Sequence, residues 1–189
     1  MIHSPRFKVV LDACVLYPAP IRDILLSLAA EGLFKVKWSD TIQGEWTRNL
    51  LKNRSDLKQK QLNQTIEAMN KAFPDANVEG FEDLISSIKI PDKDDRHVVA
   101  CAIRCNADLI VTFNIKDFPK STLSKYDIEI QKPDELISNL IDINPDLACK
   151  AFTKMVKRLK NPPKTKEDVL ATLENCGLKK SIEKIKNNC

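Results

Sequence analysis

The chain has 189 residues, of which 43% are hydrophobic and 30% are charged, and it contains only four glycines. This composition excludes a disordered or collagen-like chain, and the length is sufficient for one sizeable hydrophobic core. No apolar run reaches the ~18 residues of a membrane-spanning helix, and the N-terminal residues lack a signal-peptide pattern. We therefore expect a cytoplasmic protein that contacts no membrane.

Charge is distributed unevenly along the chain. Residues 146–189 hold 11 lysines and arginines against 5 acids, whereas the first 145 residues hold 19 against 21. The body is thus slightly acidic and the C-terminal segment is basic. A basic segment suits a polyanion or an acidic protein partner, but lysines also cover the exposed faces of ordinary helices, and both interpretations stay open.

The six cysteines are typical of reduced thiols. No pair has C-x2-C spacing, and the chain has only two histidines, His3 and His97. Cys101 and Cys105 lie four residues apart in an apolar helical pattern, where thiols pack as small hydrophobic groups. We therefore expect neither a zinc site nor a disulfide framework.

Strand and helix patterns alternate from the N-terminus. The apolar run FKVVLDACVL predicts a strand, and the apolar spacing in IRDILLSLAAEG predicts a helix that ends at Gly32. LFKVKW predicts a second strand, followed by a helix that Ser39 or Asp40 caps. Residues 57–73 and 81–88 predict two further helices.

The alternation continues to about residue 142. DKDDRHVVACAIRCNA predicts a helix with Asp92 as its N-cap, DLIVTF and YDIEIQ predict strands, and PDELISNLI predicts a helix. Such alternation is typical of an α/β domain with a mainly parallel sheet, which we assign to residues 1–142. Short helical patterns and a lysine-rich end predict a small helical extension over residues 143–189.

Acidic residues follow the predicted strands or begin the neighbouring helices. In a parallel α/β sheet, ligands bind beyond the carboxyl ends of the strands. Five carboxylates come from segments that reach this edge: Asp12, Glu45, Asp94, Asp95 and Asp117. Clustered carboxylates favour Mg²⁺ or Mn²⁺, which can activate water and neutralise a phosphodiester oxygen. Each acid also has a plain structural interpretation, as a turn residue, a helix cap or a surface charge.

Three segments resemble the PIN-domain family, and within it the VapC-like toxin ribonucleases of type II toxin–antitoxin systems. They are LDACVL, the helix that carries Glu45, and DDRHVVACAIRCNADLIVTFNIKDF, and the resemblance covers about residues 7–140. It implies a three-layer α/β/α sandwich and a Mg²⁺- or Mn²⁺-dependent endoribonuclease that leaves a 5′-phosphate and a 3′-hydroxyl. An RNA substrate, a cognate antitoxin and a homodimer are also implied.

The resemblance implies the roles of four acids. Asp12 matches the family's first acid, Glu45 the second, Asp95 the acid that opens a D-x6-A helix, and Asp117 the last residue of a T-x-N-x-x-D motif. All four are expected to be catalytic, with Asp12 and Asp95 as metal ligands. Asp94 is the alternative to Asp95.

Weaker candidates for substrate binding are Thr112, Asn114, Arg48 and His97. His97 is more typical of a partly buried helix histidine than of a substrate ligand, and Arg48 could pair with an acid. The sequence departs from the family at Cys14, where asparagine is usual, and an amide that orients the first acid is thereby replaced by a thiol.

Two other functions remain as alternatives. A catalytically inactive PIN-fold module could bind RNA or protein through the basic segment. An aspartyl-phosphate enzyme or receiver domain also places an aspartate after the first strand, but the phosphatase type needs D-x-D, which Cys14 breaks.

Overall fold

A computed structural model describes residues 7–160 and 162–189. Its central sheet has four short parallel strands in the order β2-β1-β3-β4. The strands are β1 (Lys8–Leu11), β2 (Lys35–Lys37), β3 (Leu109–Val111) and β4 (Glu129–Gln131). The two central strands are almost entirely buried, as apolar β-branched runs are when helices cover both faces of a sheet.

Helices surround this sheet. They are α1 (Ala13–Leu16), α2 (Ala19–Ala30), α3 (Asp40–Asn53), α4 (Gln59–Ala72), α5 (Glu82–Ile85), α6 (Arg96–Arg104), α7 (Lys120–Leu123), α8 (Pro133–Ile143), α9 (Pro145–Arg158), α10 (Lys166–Asn175) and α11 (Lys179–Asn188). Helix α6 packs on β1 and β3, α2 contacts β2, and α7 contacts β4. The predicted α/β/α sandwich with a parallel sheet and C-terminal helices is confirmed.

Several local signals act as the sequence predicts. The hydroxyl of Ser39 accepts a hydrogen bond from the Ile42 backbone N–H at 3.3 Å and so caps α3. Just beyond α2, Gly32 adopts φ +80°, a conformation that favours glycine. The ring of Trp46 is fully buried in the core.

Two element boundaries differ from the prediction. The first apolar run forms a strand only as far as Leu11, and residues 13–16 form the short helix α1. Helix α6 begins later than predicted, and Asp95 rather than Asp92 is its N-cap residue. The Asp92 carboxylate instead accepts a hydrogen bond from the Asp94 backbone N–H at 2.8 Å, because an aspartate can close a turn as readily as it can cap a helix.

The C-terminal helices share the core of the α/β layers. Helix α9 packs against α2 and α8, and α11, the predicted lysine-rich end, packs against α8. The Glu31 carboxylate at the end of α2 pairs with Lys150 at 2.8 Å and Lys154 at 2.5 Å. Arg158 pairs with Asp23 at 3.0 Å. Helix α9 is therefore attached to α2 by both apolar and charged contacts. In the part of the chain that the structure describes, no helix is long and apolar enough to cross a membrane.

The prediction of reduced cysteines is wrong for one pair. Cys149 and Cys189 form a disulfide, whereas Cys14, Cys101, Cys105 and Cys176 are free. The two bonded residues are 40 positions apart in sequence, and the return of α11 along α8 brings the end of the chain beside α9. This proximity follows from helix packing, so cysteine spacing alone could not reveal it.

Candidate active site

The geometry of the sheet brings the first motif beside the last. Strands β1 and β3 are parallel neighbours, with Leu11 opposite Val111. The next residue along each strand is a polar one, Asp12 and Thr112, and the Asp12 backbone N–H donates to the Val111 carbonyl at 3.1 Å. Two motifs that are 100 residues apart in sequence therefore meet at one edge of the sheet.

The side chain of Asp12 is held in place by its neighbours. Asp12 is only 4% exposed, and its Oδ2 accepts hydrogen bonds from Thr112 Oγ1 at 2.6 Å and from Cys14 Sγ at 3.0 Å. The Asn114 backbone N–H in turn donates to Thr112 Oγ1 at 3.0 Å. Because these bonds converge on Oδ2, they fix the carboxylate while Oδ1 remains available for another ligand.

Cys14 bridges the ends of β1 and β3. Its Sγ accepts from the Phe113 backbone N–H at 3.3 Å and lies 3.3 Å from Thr112 Oγ1, in addition to its bond to Asp12. Burial, followed by the charge of Asp12, raises the pKa of Cys14 to about 12. The thiol is therefore protonated at neutral pH and acts as a neutral donor to the carboxylate.

A polar cleft of about 530 Å³ opens beside Asp12. Glu45 on α3 and Asp95 at the start of α6 lie in its wall, so two further predicted acids share one cavity with Asp12. The lining side chains are those of Asp12, Ala13, Cys14, Tyr17, Glu45, Arg48, Asn49, Asn53, Asp95 and Asn114.

The charges in this cleft are close enough to affect each other. The pKa of Asp95 is raised to about 6, first by burial and then by the charges of four other acids: Asp12, Asp92, Asp117 and Glu45. An unusually high carboxyl pKa in a cleft is typical of functional sites, and here burial contributes more to it than the neighbouring charges do. Asp117 is thus near enough for its negative charge to contribute to the raised pKa of Asp95.

The remaining predicted residues occupy different positions. Asp117 lies in a 3-10 turn (Ile115–Asp117) and is half-buried, outside the cavity wall. Asp94, the alternative acid, is exposed and does not line the cleft. Arg48 and Asn114 do line it, whereas Thr112 lies beneath it and is fully buried.

His97 is buried on α6 behind Glu45. It is 7% exposed, and its Nε2 lies 2.9 Å from Glu45 Oε1. The two atoms are in close contact but lack hydrogen-bond geometry. The structure therefore places His97 against a catalytic candidate and outside the wall of the cleft.

Three polar residues that line the cleft were missed in the sequence: Tyr17, Asn49 and Asn53. Asn49 and Asn53 follow Glu45 at helical spacings of four and eight on α3, so the helical period could have identified them. The Asn53 side-chain amide donates to the Tyr17 hydroxyl at 3.3 Å. No sequence signal identifies Tyr17, because it reaches the cleft through the turn between α1 and α2.

The donor chemistry of the cleft fits a hard divalent cation. Among residues 7–160 and 162–189, no three acidic, histidine or cysteine side chains are grouped closely enough to ligate one metal together. Asp12 and Asp95 nevertheless supply carboxylate oxygens in one cavity, and Mg²⁺ in proteins is commonly held by one or two carboxylates together with several waters. Two direct carboxylate ligands are therefore compatible with this ion.

Comparison with known proteins agrees with this geometry. The PIN domain family matches residues 8–116, which is more than half of the chain, and the VapC50 C-terminal domain family matches residues 133–187. The chain is 35% identical over 94 residues to a Mycobacterium tuberculosis protein named "Putative ribonuclease VapC50". The aligned residues are 50% of this chain and 55% of that relative, so the chain spans about half of the relative's length. No solved structure matches. The chain belongs to the PIN-domain family.

Proposed function

We propose that this protein is a Mg²⁺- or Mn²⁺-dependent endoribonuclease that hydrolyses phosphodiester bonds, with Asp12, Glu45, Asp95 and Asp117 as its catalytic acids. The observation that carries the proposal is the cleft itself, in which Asp12, Glu45 and Asp95 line one cavity and Asp95 is held at a pKa of about 6. Such uncompensated acids favour a bound cation, and the PIN-domain membership of the chain supports the same chemistry.

Each side chain of the cleft has a distinct part in the proposed reaction. Asp12, fixed through Oδ2, and Asp95 would hold the divalent ion, which lowers the pKa of bound water and neutralises charge on the scissile phosphate. Glu45 orients the attacking water with Oε2, since His97 is in contact with its Oε1. Asp117 adds to the negative field that retains cations.

Polar side chains in the wall of the cleft are suited to bind the RNA backbone. Arg48 offers a guanidinium group, and Asn114 and Asn49 offer amide donors, all of which suit phosphate or ribose oxygens. As the PIN-domain family implies, water would attack the phosphorus in line while the bond to the 3′-oxygen breaks and that oxygen takes up a proton, which would leave a 5′-phosphate and a 3′-hydroxyl.

We further propose that the protein is the toxin of a toxin–antitoxin pair. The matches to the VapC50 C-terminal domain and to the M. tuberculosis relative support this role. A cognate antitoxin would then cover the acidic cleft, the active species would be a homodimer, and the protein would act in the cytoplasm.

The test is cleavage of end-labelled tRNA and ribosomal RNA in Mg²⁺, Mn²⁺ or EDTA. We expect cuts at discrete sites that require the metal and that fall by more than ~100-fold in Asp12→Asn and Asp95→Asn, because each variant removes a charged ligand without changing shape. The matched control is Asp94→Asn, which removes the adjacent but exposed carboxylate and should cut normally.

Two results would contradict the proposal. Equal loss in Asp94→Asn and Asp95→Asn would mean that the cleft has been wrongly assigned. RNA that is bound at saturating Mn²⁺ but never cut would favour the inactive PIN-fold binding module.

A further inference from the structure

A second cavity lies where the C-terminal helices meet the start of α2. Its volume is about 470 Å³, and its walls are mostly apolar. They are formed by residues from α2, α4, α9 and α10 and from the loop before α10: Ala19, Pro20, Arg22, Asp23, Leu26, Thr65, Met155, Leu159, Lys164, Val169 and Thr172. The cavity therefore exists only because the C-terminal helices are packed on the α/β layers.

The rim of this cavity is positively charged. Arg22 and Lys164 line it, and Asp23, the one acid in its wall, is paired with Arg158 at 3.0 Å. Lys160 is exposed in the same loop as Lys164. Within the described residues neither lysine is in an ion pair, although Lys164 is near enough to Asp168 to lower that carboxyl's pKa. We call Arg22, Lys160 and Lys164 the basic rim.

The cavity and the acidic cleft are lined by residues that lie close together along the chain. Tyr17 lines the cleft and Ala19 lines the cavity, and residues two positions apart have Cα atoms no more than ~7 Å apart. Arg22 is fixed at this junction, because its Nη1 donates to the Leu16 carbonyl at 2.6 Å and its guanidinium stacks on Trp46 at 4.5 Å. Arg22 is therefore the rim residue closest along the chain to Tyr17, and a single strand that leaves the cleft there would reach the rim through it.

We propose that the basic rim and its cavity form a second binding site for the single-stranded RNA substrate, outside the acidic cleft. Phosphates would contact the rim, and an unstacked base would enter the apolar cavity. This inference rests on the proposed ribonuclease function, because it assigns that RNA a path across the molecule.

Charge and shape favour RNA over an acidic protein as the occupant. The cleft holds several carboxylates that repel phosphate, so a substrate needs cationic contacts nearby to remain bound. A pocket with apolar walls and a cationic edge matches the alternation of base and phosphate along a single strand, where bases can turn out and be buried. An acidic peptide with apolar side chains could also fill such a pocket, so the closeness of the rim to the cleft that would hold the scissile phosphate decides for RNA.

The test is binding of a fluorescein-labelled 25-nucleotide single-stranded RNA in EDTA, measured between 50 and 200 mM KCl. We expect Lys160→Gln/Lys164→Gln to weaken binding about tenfold at 50 mM and to lower the slope of log K against log salt by ~1.4, or ~0.7 for each lost phosphate contact. The matched control is Lys179→Gln/Lys180→Gln, which removes the same charge from exposed positions on α11 and should leave both quantities unchanged.

A second variant tests the cavity itself. Thr172→Trp places an indole in its wall, and we expect it to weaken binding without changing the salt slope, because no phosphate contact is lost. Circular dichroism and thermal unfolding of each variant verify that the fold is retained.

Three outcomes would overturn the inference. The first is that Lys160→Gln/Lys164→Gln and Lys179→Gln/Lys180→Gln weaken RNA binding equally. The second is that Lys160→Gln/Lys164→Gln and Thr172→Trp both bind RNA as the wild type does. The third is that polyglutamate of equal charge competes for the site as well as unlabelled RNA does. These measurements do not depend on cleavage, so they are distinct from failure of the nuclease proposal. If RNA is cut, Lys160→Gln/Lys164→Gln should raise KM for the 25-mer and leave KM unchanged for a hexanucleotide that reaches only the cleft.

Discussion

At the N-terminus of α6, Asp95 carries a charge that the folded protein disfavours. Its pKa is about 6 in the fold against an ordinary value of 3.8, so the folded state binds this proton more tightly than the unfolded chain does. The stability that the protonated form provides is fully present below pH 3.8 and is lost as the pH rises through about 6. The charged Asp95 carboxylate therefore lowers the free energy of unfolding of the metal-free protein at neutral pH.

We predict that Asp95→Asn stabilises the metal-free protein at pH 8 by about 1 kcal/mol, or ~2–4 °C in Tm. This figure discounts the pKa change because the carboxyl is half-exposed and screened by solvent. The gain should shrink at pH 4.5, where folded Asp95 is already protonated. Thermal unfolding in EDTA at both pH values measures the change in Tm. Asp94→Asn is the control variant, and its Tm should stay near that of the wild type. A lower Tm for Asp95→Asn at pH 8 would contradict the prediction.

Cys14 is a positioning residue in the proposed site, since it acts through Asp12. Cys14→Ser keeps a hydrogen-bond donor to Asp12 Oδ2, whereas Cys14→Ala removes it. The lost hydrogen bond is worth about 1 kcal/mol, which corresponds to a ~5-fold change in Mg²⁺ affinity. We therefore expect the half-saturating Mg²⁺ concentration for RNA cleavage to rise in Cys14→Ala and to stay near wild type in Cys14→Ser. Equal Mg²⁺ requirements in the two variants, at equal Tm, would mean that the thiol does not orient the carboxylate.

At the scale of elements, the disulfide ties the end of the chain after α11 to α9. Closing a 40-residue segment in the unfolded chain stabilises a protein by ~2–4 kcal/mol in the chain-entropy account. Both helices also contribute to the core through Phe152 and Ile182, so the bond adds to contacts that already exist.

We predict that denatured, unreduced protein alkylates at four cysteines and that reduced protein alkylates at six. Cys149→Ser/Cys189→Ser should lower Tm by several degrees, while Cys176→Ser, which removes a free thiol, should change it little. Intact mass after iodoacetamide treatment and thermal unfolding without reductant provide the two measurements. Six alkylated cysteines before reduction would show that the purified protein lacks the bond.

At the scale of the whole molecule, several of the lysines and arginines in the C-terminal segment are paired with acids. Lys150, Lys154 and Arg158 pair with acids on or beside α2, and Lys184 pairs with Asp142. These contacts attach the helices to the α/β layers. The lysines of the loop between α9 and α10 remain outside such pairs in the described residues, and we propose them as the contacts for a polyanion.

The division of the chain at residue 142 stays a proposal. The VapC50 C-terminal match begins at residue 133, at the start of α8. Helix α8 follows β4 directly and packs against both α9 and α11, so it connects the sheet to the extension. Its residues contribute to one core that extends through both parts of the chain.

The sequence by itself determined the α/β fold, the parallel sheet and the set of candidate acids for the active site. Apolar runs, helical spacing and the Ser39 cap are local properties, and their physical causes act over a few residues. The sequence also predicts Asp12 and Asp95 as site residues, because their positions at a strand end and at a helix start follow from those same local elements.

Only the tertiary structure decided which groups meet. The bond from Cys14 to Asp12 is local in sequence, but its bridge to Phe113, the contact of His97 with Glu45 and the Cys149–Cys189 bond all join distant segments. The D-x6-A spacing favours Asp95 and keeps Asp94 as an alternative, and the position at which α6 begins puts only Asp95 in the wall of the cleft. Such contacts arise from the pairing of strands and the packing of helices, and no spacing along the chain encodes them.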